Sequence, residues 1–210
     1  MKLTATLIIL NMLVFALSLT NFDYFIGNFG FSAKGLLSGK YYIILTSLFL
    51  HADLLHLSGN MIGLLFLGWA IEKKIKSWQY IVVYFASGII GNLSMFIPIF
   101  GYTLDTIGVG ASAAISGLVG LGIFMCPGKF VIFGSILPMP FVAAGAVYLL
   151  FTLSNLFTSE LVAHSAHLFG FLSGAIFGFK WSKDRIKNLL IFIALLLLIM
   201  FLPTLLAFVL

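Results

Sequence analysis

Charge is what this sequence has least of. Asp, Glu, Lys and Arg make up 8% of its 210 residues, whereas 62% are hydrophobic and the mean hydropathy is +1.20. So few polar side chains cannot cover the surface of a water-soluble globule of this size, which leaves an integral membrane protein. Cysteine is nearly absent too. The lone Cys126 can close no intramolecular disulfide and reads as a small core residue. There is no hydrophilic domain and no tandem repeat. No small-x-small cleavage motif follows the first apolar stretch, so that stretch is kept as a helix rather than a secretory leader. Acidic residues number six, and none is placed to complete a metal site or a catalytic triad; Asp53 and Asp105 read as structural.

What is present is a series of apolar runs, each long enough to cross about 30 Å of hydrocarbon. They cover Leu3–Leu19, Leu54–Ile71, Trp78–Phe100, Ile107–Cys126, Pro138–Phe157, Leu161–Phe179 and Leu189–Leu210. The expectation is an all-α membrane protein of seven spans in a single domain, 1–210. A net charge of +5 does not point to nucleic acid, because its distribution has a simpler origin. With a cytoplasmic N-terminus, Lys2, Lys73, Lys74, Lys76, Lys129, Lys180, Lys183, Arg185 and Lys187 share the cytoplasmic side, and only Lys34 and Lys40 lie outside. That bias is the positive-inside pattern, and an odd number of spans then puts the C-terminus outside.

Two connections stand out. Thr20–Leu50 is rich in Phe, Tyr and Gly, which suits the headgroup interface on the external side. Pro127–Leu137 reads as a cytoplasmic-side loop dipping into the interface, since Pro127, Gly128 and Pro138 oppose a continuous helix.

Polar groups at membrane depth are costly and therefore candidates for function. His51, His56 and Asn60 open the second run. At 100° per residue, His56 and Asn60 stand about 40° apart and share a face, whereas His51 is about 140° from His56 and faces the loop or precedes the helix. Ser112 heads the fourth run after Gly108 and Gly110. Those glycines permit unusual backbone and close approach, and a helix starting there leaves free N–H groups beside the hydroxyl. Below it, Ala113, Gly117 and Gly120 form a small-residue stripe, and the sixth run answers with His167, Gly170, Gly174 and Gly178. Two such faces allow the close helix approach that a Ser–His unit needs. His51 and His56 are wrongly spaced for a metal. His164 and His167 are correctly spaced but lack a third ligand, so no metal or organic cofactor is expected.

These motifs, His51-x4-His56-x3-Asn60, Gly110-x-Ser112 and Ala163-His164-x-x-His167-x-x-Gly170-x3-Gly174, resemble the rhomboid family of intramembrane serine proteases. The resemblance covers about Thr46 to Gly178. It implies a six-helix bundle over about 1–182 with one extra C-terminal helix over about 188–210. It also implies Ser112 as nucleophile and His167 as general base, with His164 the rival. The oxyanion hole would be formed by the Ser112 N–H with His56 and Asn60, supported by His51, Gly110, Gly170 and Gly174. Glu72 matches an acidic position of the family and reads as structural.

The chain departs from the family pattern at Tyr42-Ile43, where many members have Trp-Arg, and at Ala113, where Gly is common. It departs again at Ser116, where an aromatic ring would support the histidine; Tyr148 or Phe171 is the expected replacement. The implied substrates are single-pass or multi-pass membrane proteins reached through the bilayer, cut after a small residue where Gly, Ala or Pro lets the helix unwind. A non-catalytic client-binding rhomboid-like protein and a small transporter are the alternatives. The lack of a soluble domain and of a transit peptide fits a prokaryotic plasma membrane.

Overall fold

A computed structural model of the chain describes residues 2–132, 138–158 and 163–209, with side chains up to Phe201. Among the described residues the architecture is helical apart from one two-residue strand pair. Helix α1 (Lys2–Ser18) buries Thr4, Leu7, Asn11, Phe15 and Ser18 along one face and exposes Ile9, Met12, Leu13 and Leu17, each by more than half. Burying Asn and Ser while exposing Leu inverts the water-soluble pattern and suits a hydrocarbon surround. The buried Asn11 side-chain N–H donates to the Leu7 carbonyl, 2.8 Å away.

The aromatic connection is not featureless. It folds as α2 (Phe22–Phe29), α3 (Ala33–Leu37) and α4 (Ile43–Thr46), followed by a 3-10 turn over Ser47–Phe49. Asn21 and Ser32 cap the first two of these helices. Helix α5 (Leu54–Glu72) starts at Asp53, whose carboxylate accepts the His56 N–H at 2.7 Å, and passes through a π turn at Leu64–Gly68. At its far end Glu72 accepts from Leu3 N, Thr4 N and Thr4 Oγ1 at 2.9, 3.0 and 2.7 Å, placing a carboxylate on the N-terminus of α1.

Helix α6 (Ser77–Leu93) ends earlier than the apolar run suggests. It is extended only by a 3-10 turn to Phe96, because Pro98 forces Ile97 out of helical geometry, at φ −87° and ψ 109°. The fourth run differs more. Helix α7 (Ser112–Met125) does not begin at Ile107. Gly108 pairs instead with Phe31 as an isolated antiparallel bridge, and Gly110 adopts φ +119°. Fourteen residues rise about 21 Å, well short of a bilayer core. Apolar composition there belongs to a loop packed into protein.

The Pro127–Leu137 stretch carries strand β1 (Phe130–Val131), paired antiparallel with β2 (Met139–Pro140); residues 133–137 lie outside the described residues. Helix α8 (Phe141–Ser154) therefore starts three residues into its run. Helix α9 spans His164–Trp181, and the first two residues of its run, 161 and 162, are not described. Helix α10 (Arg185–Val209) begins a turn before its run and stops short of residue 210, which is not described. Its Asn188 amide donates to Phe124 O of α7 at 2.9 Å.

Helix α7 is the hub, with every residue from Ala113 to Phe124 buried. Its most extensive neighbour is α9, then α6. A Cβ on Gly170 would overlap Ala113 O, one on Gly174 would overlap Gly117 O, and one on Gly178 would come within 2.9 Å of Leu121 O. Both series advance by four, so the helices run parallel and in one register. Gly174→Ala is expected to lower the thermal midpoint in detergent by an amount equivalent to about 1–3 kcal/mol. Gly59→Ala, on an exposed helical site with nothing within 4 Å, should hold or raise it.

Candidate functional site

The α7–α9 register decides what faces Ser112. With Gly170 seated on Ala113, the residue one turn before Gly170 comes over the residue just before Ala113. His167 Nε2 and Ser112 Oγ are accordingly 2.8 Å apart, a direct hydrogen bond. Both residues are half-buried, so the pair is neither sealed nor bathed. Ser112 is the first residue of α7, and the first helical bond there runs from Ile115 N to Ala111 O. The N–H groups of Ser112 and its two successors thus have no partner four residues back in the helix.

His56 reaches the same place from α5. A Cβ on Gly110 would lie 2.7 Å from His56 Nε2 and 3.8 Å from Ser112 Oγ. The Ala52 N–H points at His56 Nδ1 over a long 3.5 Å, which leaves Nε2 to carry the ring proton toward the serine. Asn60 is one turn further along the same face, buried, with its amide donating to His56 O at 2.8 Å. His51 precedes α5 and is fully buried against His56, ring centroids 5.1 Å apart. Burial, with His56 beside it, pulls His51 down to about 4, so it is neutral near pH 7.

His167 has a neighbouring ring as well as the Ser112 hydroxyl. The ring meeting it edge-on is His164, with centroids 5.9 Å apart and planes at 84°, and His164 in turn meets Phe151. Tyr148 is bonded to Ser116 and packs on Phe171, centroids 6.0 Å apart. Ser116 also donates to Ser112 O at 2.7 Å. Ser116 and Tyr148 therefore form a hydroxyl pair beside the first turn of α7. Gly170 and Gly174 act through helix approach, as described. Asp53 caps α5, and Asp105 pairs with Lys34 at 2.8 Å on the surface.

Several residues that hold the site were not singled out in the sequence. The segment entering Ser112 is pinned by Phe31, by Lys34 N on Leu104 O at 2.8 Å and by Gly110 N on Ser47 O at 2.9 Å. The Asn92 amide donates to Ser47 Oγ at 3.0 Å. Ser165 bonds to both Tyr102 and Ser94, each at 3.1 Å, joining the same segment to α9 and to the end of α6. Their only sequence signal is polarity inside apolar runs. Among the described residues no three His, Cys, Asp or Glu side chains converge as metal ligands. A hydroxyl bonded to an imidazole, beside donors at a helix N-terminus, is equipped for acyl transfer.

Comparison with known proteins gives a consistent picture. The model of the Rhomboid domain matches residues 38–184. The rhomboid protein YdcA of Bacillus subtilis (strain 168) is 31% identical over 147 residues, 69% of each chain. RHOMBOID-like protein 2 of Arabidopsis thaliana is 32% identical over 141 residues, 65% of this chain and 41% of that one. Inactive RHOMBOID-like protein 8 of the same plant is 40% identical over 77 residues, 37% of this chain and 21% of its own. The chain thus spans less than half the length of these two plant relatives.

Gly110→Ala is expected to cost more stability than Gly39→Ala. Both positions have positive φ, at +119° and +89°, worth about 1–2 kcal/mol of strain, but only at Gly110 would the new methyl collide with His56. Paired thermal melts read the difference.

Proposed function

Because this chain belongs to the rhomboid family, whose members are integral membrane proteins, we propose that it is an intramembrane serine endopeptidase cleaving transmembrane segments of other membrane proteins. The observation that carries this reading is the 2.8 Å contact of His167 Nε2 with Ser112 Oγ. One relative bears the word inactive in its name, so kinship alone does not carry the activity. A protein that only bound clients would have no use for a hydroxyl on an imidazole, with His56 beside them.

In this reading α1, α5, α6, α7, α8 and α9 form the six-helix bundle, α10 is a seventh span, and the whole chain is one domain. The lysine distribution supports a cytoplasmic N-terminus and an external C-terminus. Neutral His167 takes the Ser112 proton as Oγ attacks a peptide carbonyl. The oxyanion is held by the Ser112 N–H, His56 Nε2–H and the Asn60 amide. His167 returns the proton to the leaving nitrogen and the peptide bond breaks, leaving an acyl ester on Ser112. Water then hydrolyses the ester with His167 again as base. Lipid-exposed backbone must stay hydrogen-bonded, so the substrate helix unwinds only on entering the site, which favours Gly, Ala or Pro near the cut and a small residue before it.

Reconstituted protein with a generic transmembrane substrate should lose cleavage and fluorophosphonate labelling in Ser112→Ala. Cleavage should be lost in His167→Ala as well. Persistence of either activity in Ser112→Ala, or undiminished cleavage in His167→Ala, would remove the dyad. Asn60→Ala should lower kcat by roughly 10²–10³ with KM little changed. A change confined to KM would assign Asn60 to binding instead.

A further inference from the structure

The end of the molecule opposite Ser112 carries an open groove of about 380 Å³ that the chemistry above leaves unused. It lies between the last turns of α5 and the β1–β2 pair. Its walls include Phe66, Trp69, Phe130 and Ile132, and its rim carries Lys73 and Lys129. Phe130 is 64% exposed, so the groove opens outward. The Lys73 ammonium stands 4.7 Å over the Trp69 ring, and Lys129 Nζ donates to Ala70 O at 3.0 Å. An ammonium has three N–H donors, so the contact to Ala70 leaves Lys129 two, and the ring contact consumes none of those on Lys73.

Acidic compensation is scarce there. Glu72 is the only acidic residue between Asp53 and Asp105, and both its oxygens are engaged by the start of α1. Lys74 and Lys76 add further positive charge to the same stretch. Two cations above an apolar trough complement an amphiphile with an anionic head and a hydrocarbon tail. A free phosphate would gain nothing from the walls. Lys129 follows the C-terminus of α7, which sets the groove about one short helix away from Ser112, the level of the opposite leaflet's headgroups in the proposed orientation.

We propose that this groove binds an anionic phospholipid, its phosphate against Lys73 and Lys129 and an acyl chain along Phe66, Trp69, Phe130 and Ile132. The site depends on the chain lying in a membrane and not on the Ser112–His167 chemistry. Basic pockets between helices at the headgroup level recognise such lipids, each lysine near the surface being worth roughly a fivefold change in affinity.

The test titrates delipidated full-length protein in mild detergent with phosphatidylglycerol or phosphatidylcholine and counts retained lipid by native mass spectrometry. Preferential retention of phosphatidylglycerol is expected, falling roughly fivefold for each lysine removed in Lys73→Gln/Lys129→Gln, with phosphatidylcholine unchanged. Lys180→Gln/Lys183→Gln, which removes the same charge elsewhere, should retain the preference. Equal retention of both lipids, an unaffected groove variant, or an equal loss in the Lys180/Lys183 variant would overturn the proposal. Displacement by inorganic phosphate alone would also overturn it, as a phosphate site without a lipid. If the double glutamine variant fails to fold, Phe130→Glu sets a repelling charge on an exposed wall and should abolish the same preference; retention would count against the site.

Discussion

The close parallel seating of α9 on α7 is the contact on which the rest depends. Gly170 and Gly174 rest where any side chain would strike the carbonyl oxygens of Ala113 and Gly117. Lipid offers no hydrophobic drive for two apolar helices to meet, so association there relies on close packing, and glycine is what permits it. The same contact sets register as well as distance. A slip of one residue would rotate His167 by about 100° away from Ser112. The chemistry is therefore specified several residues away from the atoms that perform it.

Depth follows from the brevity of α7. A helix about 21 Å long cannot reach both surfaces of a bilayer core; in the proposed reading Ser112 is the end that stops inside, and the chain before it descends to meet it. A descending loop exposes backbone polar groups to a medium that cannot satisfy them. The loop here meets that demand with protein partners: Phe31 takes both bonds of Gly108, Ser47 takes the N–H of Gly110, and Asn92 fixes Ser47. The aromatic connection after α1 is thus part of the wall of the site, clipped at its outer edge by Lys34 and Asp105.

Much of this was legible because a chain so poor in polar groups makes each one conspicuous. His56 and Asn60 fall on one face by helical arithmetic alone, and the glycines of α9 announce a close neighbour. What could not be read was where helix gives way to loop. Ile107–Ala111 is as apolar as the helix it precedes, and only the long-range bridge to Phe31 and the φ of Gly110 separate them. The β1–β2 pair was hidden for the same reason, since its two-residue strands join segments eight residues apart across prolines. Asn92, Ser47 and Ser165 were passed over because their meaning lies in partners 45 and 71 residues away.

Ser116 stands where the rhomboid resemblance leads one to expect an aromatic ring, and its hydroxyl is engaged instead. Among the described residues the contacts of the His167 ring include a hydroxyl and a neighbouring ring. His164 meets the ring edge-on and is itself backed by Phe151. Ser116 and Tyr148 share a hydrogen bond, and Ser116 also bonds to Ser112 O. A buried hydroxyl left without a hydrogen bond costs about 1–3 kcal/mol, which favours keeping the pair together. It ties α8 to the first turn of α7 directly below the serine. The pair thereby holds the turn that carries Ser112, the residue His167 faces.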